Sequence, residues 1–461
     1  MAAVNVTEGT IWKQILRFFF PIVFGTFFQQ LYNTADAVIV GRFVGKEALA
    51  AVGGSTTLLV NLMVFFFVGL TSGVSVLISQ YFGAGKDQSV SDAVHTGIVF
   101  ALLCGLFMTA AGLPLARPAL EMMNTPAETI EDSVRYLTIY LIGVTANLLY
   151  NMGSGILRAV GDSKRPLYFL IAACFVNIGL DLLFVAGMGM GVAGVALATV
   201  LSEVFSVILS LGCLIRTDEC YRLEPGKLRV HLPMVVRVIA IGLPMGLQSV
   251  MYSISNIIIQ SRVNLIGTDT VAAWAAYFRI DTVFWMIMNA LGIAITTFVG
   301  QNYGAGKIDR LHRGVHECLA MAAAISVVIT AFLFGAGRVI FSLFTTDPAV
   351  QRIGMDILHF VAPFYITYIG VEAYSGALRG IGDSLAALII TAFGTCILRV
   401  IWVAVMVPKS PDVFTILTSY PISWGVSSVI FVIYYYFFSP VRYFRRGKTK
   451  KKVSKNTDTL N

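Results

Sequence analysis

Apolar runs long enough to cross a bilayer, about 20 residues each, recur along the whole chain and are separated by short polar turns. They fall near 14–40, 47–80, 93–115, 131–157, 166–187, 191–215, 235–265, 270–302, 313–340, 352–378, 386–407 and 413–438. The pattern predicts an all-α integral membrane protein with twelve transmembrane helices. The runs at 47–80 and 270–302 exceed a single crossing, so those helices should tilt or project from the bilayer. The longest polar loop, from Arg216 to Arg237, lies near the middle of the chain. It divides an N-terminal six-helix lobe, 1–215, from a C-terminal lobe, 238–440, across a cytoplasmic linker, 216–237, with a basic tail at 441–461.

The two halves repeat each other. Gln80-Tyr81-Phe82-Gly83-Ala84-Gly85-Lys86 returns as Gln301-Asn302-Tyr303-Gly304-Ala305-Gly306-Lys307, an offset of 221. Gly155 to Ser163, reading Gly-Ile-Leu-Arg-Ala-Val-Gly-Asp-Ser, returns at the same offset of 221 as Gly376 to Ser384. Pro21 and Pro244 match with a small slip. A shared offset points to duplication, hence two pseudo-symmetric six-helix bundles entering the membrane the same way. Two such bundles rocking against each other are a recurrent plan for alternating-access transporters.

Composition agrees with a membrane-embedded chain. Of 461 residues, 57% are hydrophobic and 13% charged, about half the charge of a soluble domain, with a mean hydropathy of +0.79. The net charge of +8 would suit nucleic acid on a soluble protein, but here much of the excess is one terminal run. That run, Arg442, Arg445, Arg446, Lys448, Lys450, Lys451, Lys452 and Lys455, follows an apolar aromatic segment and suits anionic headgroups, so no nucleic-acid partner is expected. With a cytoplasmic N-terminus, the outer loops hold Arg42, Lys46, Arg117, Arg135, Arg262, Arg338, Arg352 and Lys409, the spans hold Arg279 and Arg399, and every other Lys and Arg is cytoplasmic. The asymmetry places both termini on the cytoplasmic side of a cell (plasma or inner) membrane that the chain crosses many times. The first apolar run is too long for a cleaved signal peptide and lacks a small-residue cleavage site. Six scattered cysteines with no C-x-x-C pair read as free thiols.

Several motifs suggest chemistry and fail on inspection. Gly-Ala-Gly-Lys lacks the first glycine and the following Ser or Thr of a phosphate-binding loop. It reads instead as a tight turn in which glycine supplies a positive φ. The Leu-Arg-x-x-Gly-Asp-Ser repeats read as glycine C-caps followed by Asp or Ser N-caps of the next helix. His312 and His316 stand beside Glu317, but the order of a zinc motif is absent. Nothing supports an enzyme, a cofactor or a metal beyond a Na⁺ ion.

Ionisable groups inside spans are the informative ones, because an Asp at a helix centre costs about 2.5–3.5 kcal/mol even on insertion scales. Gln29, Asn33 and Asp36 share one face of the first span; Asn177 and Asp181 share a face of the fifth, and Thr199 and Glu203 of the sixth. These groups offer hard oxygen ligands, suited to Na⁺ or to a proton on a desolvated carboxylate. They are not duplicated, since Asn177 maps to Leu398, Asp181 to Trp402 and Asp36 to Ile259. Any ion site therefore belongs to the first half. In the second half, Glu372 is a candidate proton or substrate group, and Arg279 with Asp281 a structural or interfacial one.

The ordered motifs resemble the multidrug and toxic compound extrusion (MATE) family over essentially the whole chain up to the basic tail. The resemblance rests on Pro21 followed by Asp36 and Gly41, on Ala48-Leu49-Ala50-Ala51, and on Gln80 with Gly83-Ala84-Gly85-Lys86. It continues through Leu157-Arg158-Ala159-Val160-Gly161-Asp162, Gly300-Gln301-Asn302-Tyr303-Gly304-Ala305 and Leu378-Arg379-Gly380-Ile381-Gly382-Asp383. It implies a twelve-helix, two-lobe antiporter that exports bulky, often cationic amphiphiles in exchange for Na⁺ or H⁺, working as a monomer. It implies a first-lobe cation site at Asp36, Asn177, Asp181 and Thr199, similar to DinF-like members. The sequence departs from NorM-like members, whose second-lobe carboxylates would fall at Tyr252 and near Tyr368, with Glu372 the only replacement offered; Asn33, Glu203, Tyr252 and Glu372 stand as further proton or substrate candidates. The alternatives are a lipid-linked precursor flippase, which should show cationic residues in its spans, and a receptor that binds without transporting.

Overall fold

The computed structural model describes residues 6–442. Among them every regular element is helical. The long helices are α1 (Ile11–Phe43), α2 (Lys46–Gly83), α3 (Asp87–Met122), α4 (Ile130–Ala159), α5 (Lys164–Gly187) and α6 (Gly191–Arg216), followed by α7 (Leu232–Val263). Then come α8 (Thr268–Gly304), α9 (Ile308–Phe344), α10 (Pro348–Gly380), α11 (Ser384–Met406) and α12 (Val413–Phe437). The basic tail read from the sequence lies, beyond Arg442, outside the described residues.

Eleven of these helices are long and apolar enough to span a membrane, against the twelve expected. The exception is α4, which at 30 residues has the length but carries Asn147 and Asn151 in its middle. It packs against α2, α3 and α6, so its polar face is covered by protein. Large apolar side chains on outer faces tell the opposite story. Leu103, Leu106 and Phe107 on α3 and Val327, Val328 and Phe332 on α9 are exposed, as lipid-facing residues are.

Several helices outrun their apolar stretch. Helix α3 begins at Asp87 and α9 at Ile308, each directly after a glycine turn, whereas hydropathy marks only 93–115 and 313–340. At 1.5 Å per residue a 36-residue helix is about 54 Å long, well beyond the hydrocarbon core.

The repeated motifs fold alike. Gly85 and Gly306 take φ of +67° and +69°, and the Lys86 and Lys307 amides donate back five residues, to Tyr81 O at 3.0 Å and Asn302 O at 2.9 Å. This is the Schellman closure that only a residue tolerant of positive φ permits. Gly161 and Gly382, at +101° and +90°, close α4 and α10 the same way. The cap that follows differs between halves. Asp162 Oδ1 accepts the amides of Lys164 and Arg165 at 3.0 and 3.1 Å, whereas Asp383 makes no cap and accepts from the Tyr434 hydroxyl at 2.8 Å. A tertiary partner has displaced the expected N-cap there.

The chain forms two compact units, one ending at Ser253 and the other beginning at Ile254. In the first, α4 is central, and α5 packs against α1 and α6. In the second, α10 takes the central place against α8, α9 and α12. The division falls within α7 because its first part is tied to α2. A β-carbon on Gly69 would lie 2.6 Å from Gly246 Cα, and one on Gly73 2.8 Å from the Gly242 amide nitrogen. Two small-xxx-small pairs thus put the backbones of α2 and α7 in direct contact.

Candidate ion site

The first unit gathers its polar groups in one place. Asp36 on α1 lies in side-chain contact with Asn177 and Asp181 on α5 and Thr199 on α6. All four are buried, at 8%, 1%, 0% and 5% exposure. The packing of α5 against both α1 and α6 brings them together. Spacings of four residues aim Asn177 and Asp181 the same way along α5. Asp181 is also the last α-helical residue before Leu182–Gly187 winds as a π-helix, a local widening that recurs at functional positions.

Hydrogen bonding leaves this cluster open. Asp36 Oδ1, both carboxylate oxygens of Asp181, and both side-chain atoms of Asn177 are enclosed without a hydrogen bond to a protein group. The Thr199 hydroxyl donates to Val195 O at 3.0 Å. Buried acceptors without donors are costly. Hard oxygens converging without a protein donor fit a small cation or protons.

Glu203, one turn beyond Thr199, belongs to the same region. Its Oε1 accepts from Asn147 Nδ2 at 2.7 Å, and Oε2 is enclosed without a partner. Asn151 Nδ2 in turn donates to the carbonyl and side-chain oxygens of Asn147, at 2.9 and 3.1 Å. Tyr32, Tyr136 and Tyr140 lie within electrostatic range of Glu203, and Tyr32 and Tyr136 also of Asp36. Asn147 and these tyrosines were missed in the sequence. The Asn147, Asn151 pair at helical spacing inside an apolar run was the available signal.

Other predicted residues sit elsewhere. Asn33 and Gln29 are exposed and do not join Asp36, and Asn33 Nδ2 donates to Gln30 Oε1 at 3.3 Å. Tyr252 is half-buried on α7. Glu372 is tied down rather than open, accepting from Arg379 Nη2 at 3.3 Å and the Tyr368 hydroxyl at 3.1 Å. It packs so tightly on α8 that a β-carbon on Gly292 would lie 1.8 Å from its Oε1.

Arg279 and Asp281, adjacent in sequence, have different fates. Arg279 is exposed, while Asp281 is buried and accepts from Trp285 Nε1 at 2.6 Å and the Tyr365 hydroxyl at 2.5 Å. Arg399 is buried too, with its guanidinium 4.2 Å from the ring centre of Tyr420. His312 and His316 meet Tyr435 and Tyr436, at 2.9 and 2.6 Å, and no cluster of potential metal ligands occurs among the described residues.

Comparison with known proteins matches the same two halves. The MatE family model aligns twice, over residues 21–183 and 244–405. A probable multidrug resistance protein of Bacillus subtilis strain 168, YpnP, is 30% identical over 408 residues, covering 87% of this chain and 89% of that one. Among solved structures, a MATE protein in the bent conformation superposes with a TM-score of 0.90 at 23% identity, covering 97% of this chain and 99% of that one. A transporter of the MOP superfamily from Pyrococcus furiosus, described as having a binding pocket of reverse polarity, gives 0.89 at 23% identity, covering 96% and 99%.

Proposed function

Since the chain belongs to the MatE family, we propose that it is a secondary active efflux antiporter that exports amphiphilic, often cationic compounds in exchange for Na⁺ or H⁺. The observation that carries this reading is the convergence of Asp36, Asn177, Asp181 and Thr199 inside the spans, with Asp36 Oδ1, Asn177 Oδ1 and both Asp181 carboxylate oxygens enclosed without a hydrogen bond. The name borne by the Bacillus relative supports multidrug export as the class of work.

In this reading the two carboxylates hold the ion and release it as substrate binds. Negative coupling between the two ligands is reciprocal, so an inward ion gradient drives substrate outward. The twelve helices, α4 included, form two six-helix lobes in the cell membrane, with both termini cytoplasmic and the molecule acting as a monomer. Tyr252 and Tyr368, standing at or near the positions of the NorM-like second-lobe carboxylates, favour the DinF-like branch.

A flippase of lipid-linked diphosphates would need several cations within its spans. Of the two placed there, Arg279 is exposed and Arg399 is stacked on Tyr420.

The test is cationic-dye flux in everted vesicles under a Na⁺ gradient or a proton gradient, with wild type and Asp36→Asn compared. Uptake driven by one gradient and lost in the variant is expected. Undiminished uptake in folded Asp36→Asn protein would remove the assignment.

A further inference from the structure

Resting on that coupled antiport, we propose that Glu203, held by Asn147, forms a second monovalent-cation site beside the Asp36–Asp181 pair, so that two positive charges enter for each substrate exported. The ligand is a proton or Na⁺, which share the chemistry of a small cation on buried oxygen.

Three carboxylates, Asp36, Asp181 and Glu203, all lie within electrostatic range of Tyr136, and the side chains that interact with them are acidic or neutral. One bound cation would leave more than one negative charge uncompensated away from water, which proteins avoid. The fully enclosed and unpartnered oxygens of Asn177 and Asp181 are aimed into the cluster, and Glu203 Oε2 is enclosed without a partner as well.

The fold itself does not require a carboxylate at this place. At the repeat offset of 221, Asn147 corresponds to Tyr368 and Glu203 to Trp424. Those two residues meet in the second unit as well, ring against ring, with centroids 5.6 Å apart. The same helix contact is thus made by aromatic packing in one half and by an amide and a carboxylate in the other. A purely structural need is met by the rings, so the polar version serves charge. Tyr32 and Tyr136 lie within electrostatic range of both Asp36 and Glu203, which places the two sites next to each other.

The experiment uses purified full-length protein in liposomes, ethidium as the exported probe, and a membrane potential set with valinomycin and K⁺. Exchange of two cations for one ethidium moves one net charge, so the limiting accumulation ratio should change tenfold per about 59 mV. Glu203→Gln should retain ion-driven export but become indifferent to potential, and Glu203→Asp should restore the dependence. Running the series under a Na⁺ gradient and again under a proton gradient identifies the second cation. Wild-type export indifferent to potential, a result independent of whether any variant folds, overturns the second site and leaves one-ion antiport intact. Potential dependence that persists unchanged in Glu203→Gln overturns it as well. If neither gradient drives export, the antiport reading beneath it falls with it.

Discussion

Gly246 on α7 sits against Gly69 on α2 so closely that a β-carbon on Gly69 would lie 2.6 Å from the Gly246 Cα. Backbone that close has no side chain to move aside. Gly69→Val should therefore separate the helices, costing about 1–3 kcal/mol as overpacking does, and lower the thermal midpoint of the detergent-solubilised protein. Gly212→Val is the matched control, since a β-carbon at Gly212 meets nothing within 4 Å. Equal midpoints for the two variants would contradict the contact.

Thr199 contributes one oxygen among several at the ion site. Thr199→Ala should weaken cation binding by roughly 1 kcal/mol, about fivefold, while Asp181→Asn removes charge and should weaken it far more. Binding of radiolabelled Na⁺, or cation-dependent quenching of intrinsic fluorescence, would rank them. The reverse ranking would place Thr199 rather than the carboxylate at the centre of the site.

Glu372 is locked between Gly292, Tyr368 and Arg379. Gly292→Ala should push its carboxylate off the Arg379 guanidinium and destabilise the protein by about 1–3 kcal/mol. Adding Glu372→Ala should recover part of that loss, because the two changes share one contact. Additive losses in thermal denaturation would show that the contact does not couple them. Glu372→Gln should lower stability yet leave the ratio of ions to substrate unchanged.

The linker is fastened by an imidazole. His95 Nε2 accepts the Glu224 amide at 3.0 Å, while Nδ1 lies 2.7 Å from the Ser91 carbonyl oxygen, which fixes the proton on Nδ1. His95→Ala removes the acceptor and should speed hydrogen exchange at the Glu224 amide. Exchange at Glu224 that is unchanged in the variant would remove the fastening. Nearby, the Lys227 ammonium holds the Glu224 carboxyl below the usual range, so that ion pair persists until the pH falls below that of an ordinary carboxylate.

The helix pattern and the turns were legible because they depend on short-range physics. A bilayer demands unbroken apolar runs, and a positive φ at Gly85 and Gly306 follows from local sterics wherever the motif occurs. For the same reason the run containing Asn147 and Asn151 was readable as a helix though hydropathy alone undervalues it. The facing of Asp36, Asn177, Asp181 and Thr199 was only half legible. Helical spacing groups residues along one helix and is silent on which faces of α1, α5 and α6 meet.

The amino-acid sequence by itself determined the helical membrane class, the duplication at an offset of 221 and the presence of Asp36 and Asp181 within spans of the first half. Only the tertiary structure decided that Asn33 points away while Glu203 joins Asn147, that Glu372 is bound by Arg379, and that the start of α7 is tied to α2. The physical reason is the range of the forces. Hydropathy and backbone sterics act within a turn or two of the chain, whereas the partner of a buried polar group is chosen by helix packing between residues tens of positions apart.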